Sequence, residues 1–242
     1  MNQQQFIEAC LNIFQQNEIP CSPEQAEQFY HLTLRMLEIN QTMNLTAITD
    51  ENAIILKHYV DSATISSHIP LSSSLMDIGC GAGFPTLPLA ILRPDLSITA
   101  LDGTAKRIRY VAETAALLGL PNITAIAGRA EEYAHNPCYR ERFDIVTARA
   151  VASLPVLCEL CLPYVKQGGT MIAMKSLQAD AELAAAKQCI ALCGGSAANP
   201  IFRELIFPDK ETEQRALILI PKQNHTPKIY PRHFSKISKK PL

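Results

Sequence analysis

An acidic residue and three glycines occupy alternate positions in one stretch of the chain, at Asp77, Gly79, Gly81 and Gly83. The apolar residues before Asp77 predict a strand. A glycine-rich turn between a strand and a helix brings bare backbone to a ligand at the carboxyl edge of a parallel sheet. The dinucleotide fingerprint G-x-G-x-x-G would need a glycine at position 84, where this chain has Phe84. The spacing therefore disfavours a nicotinamide-dependent oxidoreductase.

The D-x-G-x-G-x-G form resembles the nucleoside loop of class I S-adenosylmethionine (SAM) methyltransferases. That resemblance implies that the three glycines let the backbone approach the methionine portion and ribose of SAM. Asp102 follows Asp77 by 25 positions, at the end of the second predicted strand, and offers two acceptor oxygens for a ribose diol. The same offset fits a dinucleotide enzyme, and a helix N-terminal cap is the structural alternative for Asp102.

The ends of the next three predicted strands supply the other candidate contacts. Backbone groups of Ala130 and Glu131, after the third strand, lie where an adenine edge would bind, and Phe84 would pack near the cofactor. Arg149 ends the fourth strand, where the methyl donor and the acceptor usually meet, and a charge at that position is not typical of core packing. Lys175 occupies the matching end of the fifth strand.

From residue 75 onward strand patterns alternate with helical ones, which is typical of a parallel sheet covered on both faces. We predict strands over residues 75–78, 97–101, 123–127, 143–148, 170–174, 201–207 and 216–220, the last two forming an antiparallel edge. The fold class is α/β, a Rossmann-like class I SAM-dependent methyltransferase with a seven-stranded, mostly parallel sheet. We expect a helical cap at 1–70 packed on this core, the methyltransferase domain at 71–220 and a basic tail at 221–242.

Composition fits a globular protein with a real core, because 48% of the 242 residues are hydrophobic and 19% are charged. No apolar run approaches the length of a membrane span, and the first residues lack the pattern of a signal peptide. We therefore expect a soluble, cytoplasmic protein with no membrane partner.

Positive charge is concentrated at the C-terminal end. Residues 221–242 hold six of the 22 lysines and arginines and none of the 23 acidic residues. The six are Lys222, Lys228, Arg232, Lys236, Lys239 and Lys240. This asymmetry indicates a polyanionic partner, although a merely solvated tail is the alternative. Four prolines in the same segment predict little regular structure.

Two cysteine pairs raise the question of zinc, Cys158 with Cys161 and Cys189 with Cys193. Both pairs fall inside apolar helical patterns, where spacings of three and four residues define the core face. We therefore expect buried thiols and no metal.

The acceptor side lacks the signals of two methylase classes. Amino-group methylases place Asn/Asp-Pro-Pro-aromatic at the end of strand four, where this chain has Thr147-Ala148-Arg149-Ala150. Carbon-5 pyrimidine methylases need a cysteine nucleophile, but Cys138 precedes strand four. An acceptor that needs neither base nor nucleophile, such as N7 of guanine, is consistent with this pattern. No residue is a certain catalytic group, and Arg149 is a candidate by position.

Motifs over nearly the whole chain resemble the RsmG family, the bacterial 16S rRNA guanine-N7 methyltransferases. The matching segments are MNLTAIT (43–49), KHYVDS (57–62), DIGCGAGFPTLPLAI (77–91), LDGTAKR (101–107), GRAEE (128–132), FDIVTARAVASL (143–154), LCLPYVKQGG (160–169) and MIAMKS (171–176). Two departures are Gly103-Thr104, where many members have Ser-Leu, and His233-Phe234-Ser235, where a basic, glycine-containing run is usual.

The resemblance implies transfer of a methyl group from SAM to N7 of one guanine in the 530 loop of 16S rRNA. By motif position it implies SAM contacts at Gly79, Phe84, Ala130, Glu131 and Arg149. It also implies a partner that is 16S rRNA or the 30S subunit, and a monomeric enzyme. The RNA-facing candidates are Asn44, His58, Lys175, Lys228 and Arg232. Considered without the family, His58 and Asp61 form a surface pair on one helix face.

Two further alternatives are an rRNA-binding assembly factor with a decayed methyltransferase fold and a SAM enzyme acting on a small molecule. The intact glycines, Asp102 and Arg149 disfavour the first alternative. The basic tail disfavours the second, because a small substrate gives no reason for that separation of charge.

Overall fold

The computed structural model describes residues 1–175, 178–209 and 211–242. Two helices open the chain, α1 (Gln3–Gln16) and α2 (Pro23–Met43). Each begins with a capping box, in which a side-chain oxygen accepts from the third helical N–H and a glutamine reaches back. In α2 the cap is Ser22, with Pro23 in the first turn and Gln25 as its partner. The second helix ends at Asn44, whose left-handed backbone stops it.

The segment after Asn44 is less regular than a single helix. It consists of α3 (Glu51–Ile54), a π-helical turn at Ile55–Val60, α4 (Asp61–Ala63) and a 3₁₀ turn at Ser66–His68. A π turn closes its hydrogen bonds five residues apart and is frequent at functional sites. It carries Lys57 and His58, with Asp61 directly after it.

A seven-stranded sheet forms the centre of the chain, in the order β3-β2-β1-β4-β5-β7-β6. The strands are β1 (Ser74–Ile78), β2 (Ser97–Asp102), β3 (Ile123–Ala127), β4 (Phe143–Arg149), β5 (Val165–Lys175), β6 (Pro200–Ile206) and β7 (Thr212–Pro221). The first five are parallel, and β7 is antiparallel to both of its neighbours. The α/β class and the antiparallel edge pair are confirmed.

Strand β5 begins earlier than the sequence predicts, because Gly168 and Gly169 form an irregularity within the strand and do not end a helix. The register with β4 shifts here, from Phe143 opposite Val165 to Ile145 opposite Thr170. A Cβ at Gly169 would lie 2.6 Å from the Asp144 carbonyl oxygen, and Gly168 has φ +80°. Glycine is required at both positions for these reasons.

Helices cover both faces of the sheet. They are α5 (Thr86–Leu92), α6 (Ala105–Leu117), α7 (Ala130–Tyr133), α8 (Leu154–Cys161) with a 3₁₀ turn at Leu162–Tyr164, α9 (Ala179–Leu192) and α10 (Phe234–Lys239). One buried cluster joins Phe6 and Phe29 of the first helices to Leu87 of α5 and Ile98 of β2. The N-terminal helices therefore pack on the sheet, while the division of the chain at residues 70 and 220 stays a prediction.

The opposite face holds the two cysteine pairs. Cys158, Cys161, Cys189 and Cys193 are all buried in the second hydrophobic cluster, as the helical spacing predicts. Burial raises the pKa of the Cys158 and Cys161 thiols. None of the described helices is long and apolar enough to cross a bilayer.

The tail has little regular structure before α10, as predicted, but it is packed on the domain. Arg232 donates to the fully buried Glu159 of α8 through its backbone N–H (2.8 Å), Nε (2.8 Å) and Nη2 (2.6 Å). Lys222 is 1% exposed and pairs with Glu141 at 3.2 Å. Two carboxylates in the domain thus hold two of the six tail cations, and α10 follows them.

Candidate active site

The glycine loop has the backbone that its sequence demands. Gly79, Gly81 and Gly83 have φ values of +72°, +56° and +85°, in the left-handed region that side chains rarely tolerate. The Gly79 N–H donates to the Leu101 carbonyl at 2.7 Å, so the loop is tied to the end of β2. A Cβ at Gly83 would lie 2.5 Å from Cδ1 of Leu87. The loop therefore turns back on α5 with no room for a side chain.

Asp102 connects the glycine loop to the turn after β2. Its Oδ2 accepts from the Gly81 N–H at 3.0 Å, and its Oδ1 accepts from the Thr104 N–H at 2.7 Å. Thr104, and not Asp102, is the N-cap residue of α6. The carboxylate is 7% exposed and each oxygen keeps a second acceptor position.

Asp77 is fully buried beneath the loop. Its Oδ2 accepts from the Thr86 hydroxyl at 2.6 Å, and its Oδ1 has no hydrogen-bond partner among the described residues. Burial raises the pKa of Asp77 to about 6, against the opposing effects of the Thr86 hydrogen bond and the Arg149 charge.

The turn after β3 continues the same edge. The Gly128 N–H donates to the Asp102 carbonyl at 3.0 Å, and the Tyr164 hydroxyl donates to the Ala130 carbonyl at 2.6 Å. Ala130 and Glu131 begin α7, so their N–H groups are among those a helix leaves without an internal acceptor. The Glu131 side chain is buried, with Arg129 Nε 3.3 Å from its Oε1.

Arg149 is held by the segment that carries the π turn. Its Nη1 donates to Asp61 Oδ2 at 2.9 Å and to the Lys57 carbonyl at 3.2 Å. Its guanidinium carbon lies 5.2 Å from the centre of the Phe84 ring. Arg215 of β7 approaches the other oxygen of Asp61 at 3.2 Å. One carboxylate thus orients two arginines.

His58 packs on Phe84, the same ring that contacts Arg149. Its ring stacks on Phe84, with centroids 4.5 Å apart, and its Nε2 lies 2.8 Å from the Thr46 hydroxyl. Burial, with the nearby charge of Arg149, lowers the pKa of His58 to about 4. The ring is therefore neutral at physiological pH. The interpretation of His58 and Asp61 as a surface pair is wrong, since both are buried.

A cavity of about 540 Å³ opens beyond Arg149, between the π turn, the ends of β4 and β5, and β7. Its titratable lining residues are Lys57, His58, Asp61, Arg149, Lys175, Glu182, Glu213 and Arg215. Lys175 Nζ lies 2.6 Å from the Ala152 carbonyl and 2.7 Å from Glu182. Lys57 and Arg215 both pair with Glu213, at 3.0 and 2.8 Å.

The structure places the candidate RNA residues in three different locations. His58 and Lys175 line the cavity, while Asn44 and Lys228 are exposed outside it. Arg232 lies elsewhere, bound to Glu159. Arg215, Glu182 and Glu213 were missed by sequence reasoning, because their place at the cavity depends on the position of β7 and α9. Within residues 1–175, 178–209 and 211–242, no group of three or more His, Cys, Asp or Glu side chains is arranged to hold a metal ion.

Comparisons with known proteins match this architecture. A family model described as rRNA small subunit methyltransferase G matches residues 24–203. The chain is 43% identical over 244 residues to the ribosomal RNA small subunit methyltransferase G of Oceanobacillus iheyensis, with 100% of both sequences covered. It is 41% identical over 246 residues to the protein of the same name from Lactobacillus helveticus, again with 100% of both covered.

Among solved structures, the chain is similar to a SAM dependent methyltransferase from Aquifex aeolicus. The TM-score is 0.51 at 13% identity, over 70% of this chain and 93% of that one. At this identity the likeness shows the fold alone.

Proposed function

The chain belongs to the rRNA small subunit methyltransferase G family, and from this premise we propose that it transfers a methyl group from SAM to N7 of a guanine in the 530 loop of 16S rRNA. We propose that it does so in the cytoplasm, as a monomer, on 16S rRNA or the 30S subunit. The observation that carries the proposal is the position of Arg149. Its guanidinium packs on Phe84, which follows the glycine loop, and it also lines the charged cavity. Donor and acceptor would meet at this point.

The residues on the nucleoside side of Arg149 fit SAM. The left-handed glycines leave bare backbone at the turn after β1, and the turn after β3 ends in the free N–H groups of Ala130 and Glu131. Asp102 keeps an acceptor position on each oxygen for a ribose diol. Gly79, Gly81, Gly83, Phe84, Asp102, Ala130, Glu131 and Arg149 are the proposed SAM-binding residues.

When bound, SAM supplies an electrophilic methyl group on a sulfonium, which N7 of guanine accepts with its in-plane lone pair while the C–S electrons return to sulfur. N7 carries no proton, so the protein needs no general base at the acceptor. The lowered pKa of His58, about 4, makes it a weak base, and Asp61 is ion-paired with Arg149; both agree with this requirement. The contribution of the chain is alignment, which alone can lower a barrier by roughly 7–11 kcal/mol in the best cases.

Arg149 has a limited choice of partners in this chemistry. The usual Arg–guanine pair uses O6 and N7 together, but N7 must stay free to attack. Asp61 and the Lys57 carbonyl already accept from Nη1, which leaves Nε and Nη2 for a ligand. We propose that these atoms bind the SAM carboxylate, a phosphate or O6 alone.

The proposed RNA contacts lie partly outside the cavity and partly within it. We propose that exposed Asn44 and Lys228 contact the rRNA outside the cavity, Lys228 through phosphate. His58 and Lys175 line the cavity, so their contacts would be with the base that enters it. The contact proposed for Arg232 competes with its bonds to Glu159.

The test combines purified protein with methyl-labelled SAM and 30S subunits that lack the modification, with deproteinised 16S rRNA in parallel. Cleavage at N7-methylguanine then maps the product. A single label in the 530 loop supports reaction, atom and substrate together. SAM binding without any label, next to an active control enzyme, would favour a non-enzymatic assembly factor. NAD binding without SAM binding would favour an oxidoreductase.

A further inference from the structure

Three carboxylates line the cavity, and they differ in how their oxygens are used. Asp61 gives one oxygen to Arg149 and the other to Arg215. Glu213 gives one oxygen to Lys57 and the other to Arg215. Both groups therefore have a cation on each oxygen.

Glu182 differs from the other two. Its Oε2 accepts from the Leu154 N–H and pairs with Lys175, both at 2.7 Å, whereas its Oε1 has no hydrogen-bond partner among the described residues. The side chain is 24% exposed and lies on the cavity wall. Glu182 thus presents an anchored carboxylate with one acceptor oxygen that none of the described residues uses.

Lys175 stands beside this oxygen as a donor. Its ammonium group has three N–H bonds, of which one points to the Ala152 carbonyl and one to Glu182. The Lys175 side chain is only 10% exposed, and these two partners hold its ammonium group at the wall of the cavity. The third N–H can donate to a ligand there.

We propose that Lys175 and Glu182 read the Watson–Crick edge of the target base and select guanine, an inference that rests on the proposed function. Guanine presents the O6 acceptor next to the N1–H and N2–H donors. Lys175 donates to O6, and Glu182 accepts from N1–H or N2–H. Adenine presents a donor at position 6 and an acceptor at N1. Lys175 would therefore face another donor, and Glu182 would face another acceptor.

The sheet geometry is compatible with attack by N7 in this arrangement. O6 lies between N1 and N7 on the purine, so a base whose O6 meets Lys175 has N7 close to the same residue. β5 neighbours β4 in parallel, with Met174, the residue before Lys175, opposite Arg149. Adjacent strands lie about 4.8 Å apart. N7 can therefore face the β4 end and the glycine loop beyond it while the Watson–Crick edge faces α9.

A purely structural role for the pair is the competing explanation, because Glu182 and Lys175 also brace residues 152–154. Glu182→Gln separates the two roles. The amide oxygen can still accept from the Leu154 N–H, and the amide NH2 then places a donor where the second carboxylate oxygen was. Asp180→Asn is the matched control, since Asp180 is exposed in the same first helical turn.

The experiment measures single-turnover methyl transfer to 30S subunits that carry either guanine or adenine at the target position. SAM affinity and thermal midpoint are measured for each variant. We expect the wild-type protein to prefer guanine by about 100-fold, and E182Q to lose roughly 10-fold or more of that preference with SAM affinity retained. K175M should also lose preference, and D180N should match wild type.

Two outcomes would overturn the inference in distinguishable ways. If wild-type protein labels no guanine, the proposed function and the inference fail together. If the wild-type protein labels guanine but E182Q and K175M lower the rate of methyl transfer to both substrates by the same factor, the two residues have only a structural role. In that case only the inference fails. A fallen thermal midpoint with an unchanged guanine preference leads to the same conclusion.

Discussion

Replacing Arg232 by alanine tests whether the tail is part of the folded domain or an arm for RNA. Glu159 is fully buried on α8, and every hydrogen bond found for its carboxylate comes from Arg232. Arg232→Ala removes the Nε and Nη2 donors and leaves only the backbone N–H. Oε2 of Glu159 then has no partner among the described residues.

The size of the expected loss of stability depends on the burial of Glu159, which stays in place when Arg232 is removed. Removing one member of a buried ion pair costs about 3–5 kcal/mol, because the other charge stays buried without compensation. The Arg232 side chain is 23% exposed, so water can reach part of the site and the lower end applies. We expect a loss of about 3 kcal/mol in the free energy of unfolding. For a chain of this size that loss lowers the thermal midpoint by about 6–12 °C.

Urea unfolding followed by far-ultraviolet circular dichroism measures this loss, since the chain has no tryptophan to report by fluorescence. The double variant Glu159→Met with Arg232→Met is the control. Replacing both charges by apolar groups of similar volume is often neutral, so most of the stability should return. A loss below about 0.5 kcal/mol in Arg232→Ala, together with weaker binding to rRNA, would refute the docked tail and support the phosphate contact predicted from sequence.

The remaining predictions concern the active site. Gly83→Ala should cost about 1–2 kcal/mol from backbone strain alone, plus the contact with Leu87, and abolish SAM binding in calorimetry. Asp102→Asn should weaken SAM binding by about 10-fold; unchanged affinity would contradict the ribose contact. Arg149→Ala should reduce SAM affinity or methyl transfer by more than twofold; values within twofold of wild type would refute its assignment. Because the pKa of His58 falls from 6.5 to about 4 on folding, its contribution to stability is lost as the pH drops from 6.5 to 4. His58→Gln should remove up to about 3 kcal/mol of that acid dependence in urea titrations compared with wild type.

Much of the sheet could be predicted because its signals are local. Strands β1 to β4 each combine a short apolar run with a charged or glycine residue at the carboxyl end. The glycine loop and Asp102 could be placed together because parallel strands end at one edge. The start of β5 was predicted too late because that prediction, too, rested on a local signal, the pair Gly168 and Gly169. Paired glycines usually mark a turn, and only the backbone of β4 shows that they allow close approach within a strand.

The acceptor side could not be predicted to the same depth because its contacts are long-range. Arg215 reaches Asp61 only because β7 runs antiparallel beside β5. Glu159 carried one readable signal, a single acid inside the fully buried helix α8, which requires a buried cation. Its partner lies 73 residues away, and no local pattern identifies it. The charge of the tail was therefore overestimated as a surface for polyanions, since Lys222 and Arg232 neutralise acids of the domain.

The N-terminal segment belongs to the proposed active site as much as to the surface. His58 supplies the ring that stacks on Phe84, and Asp61 supplies the carboxylate that orients Arg149. Neither partner has a substitute on the sheet among the described contacts. A chain cut at residue 70 would therefore keep the glycine loop but lose the groups that position Phe84 and Arg149 beside it. The boundary predicted there divides the sequence, while the proposed site for donor and acceptor is built from residues on both sides of it.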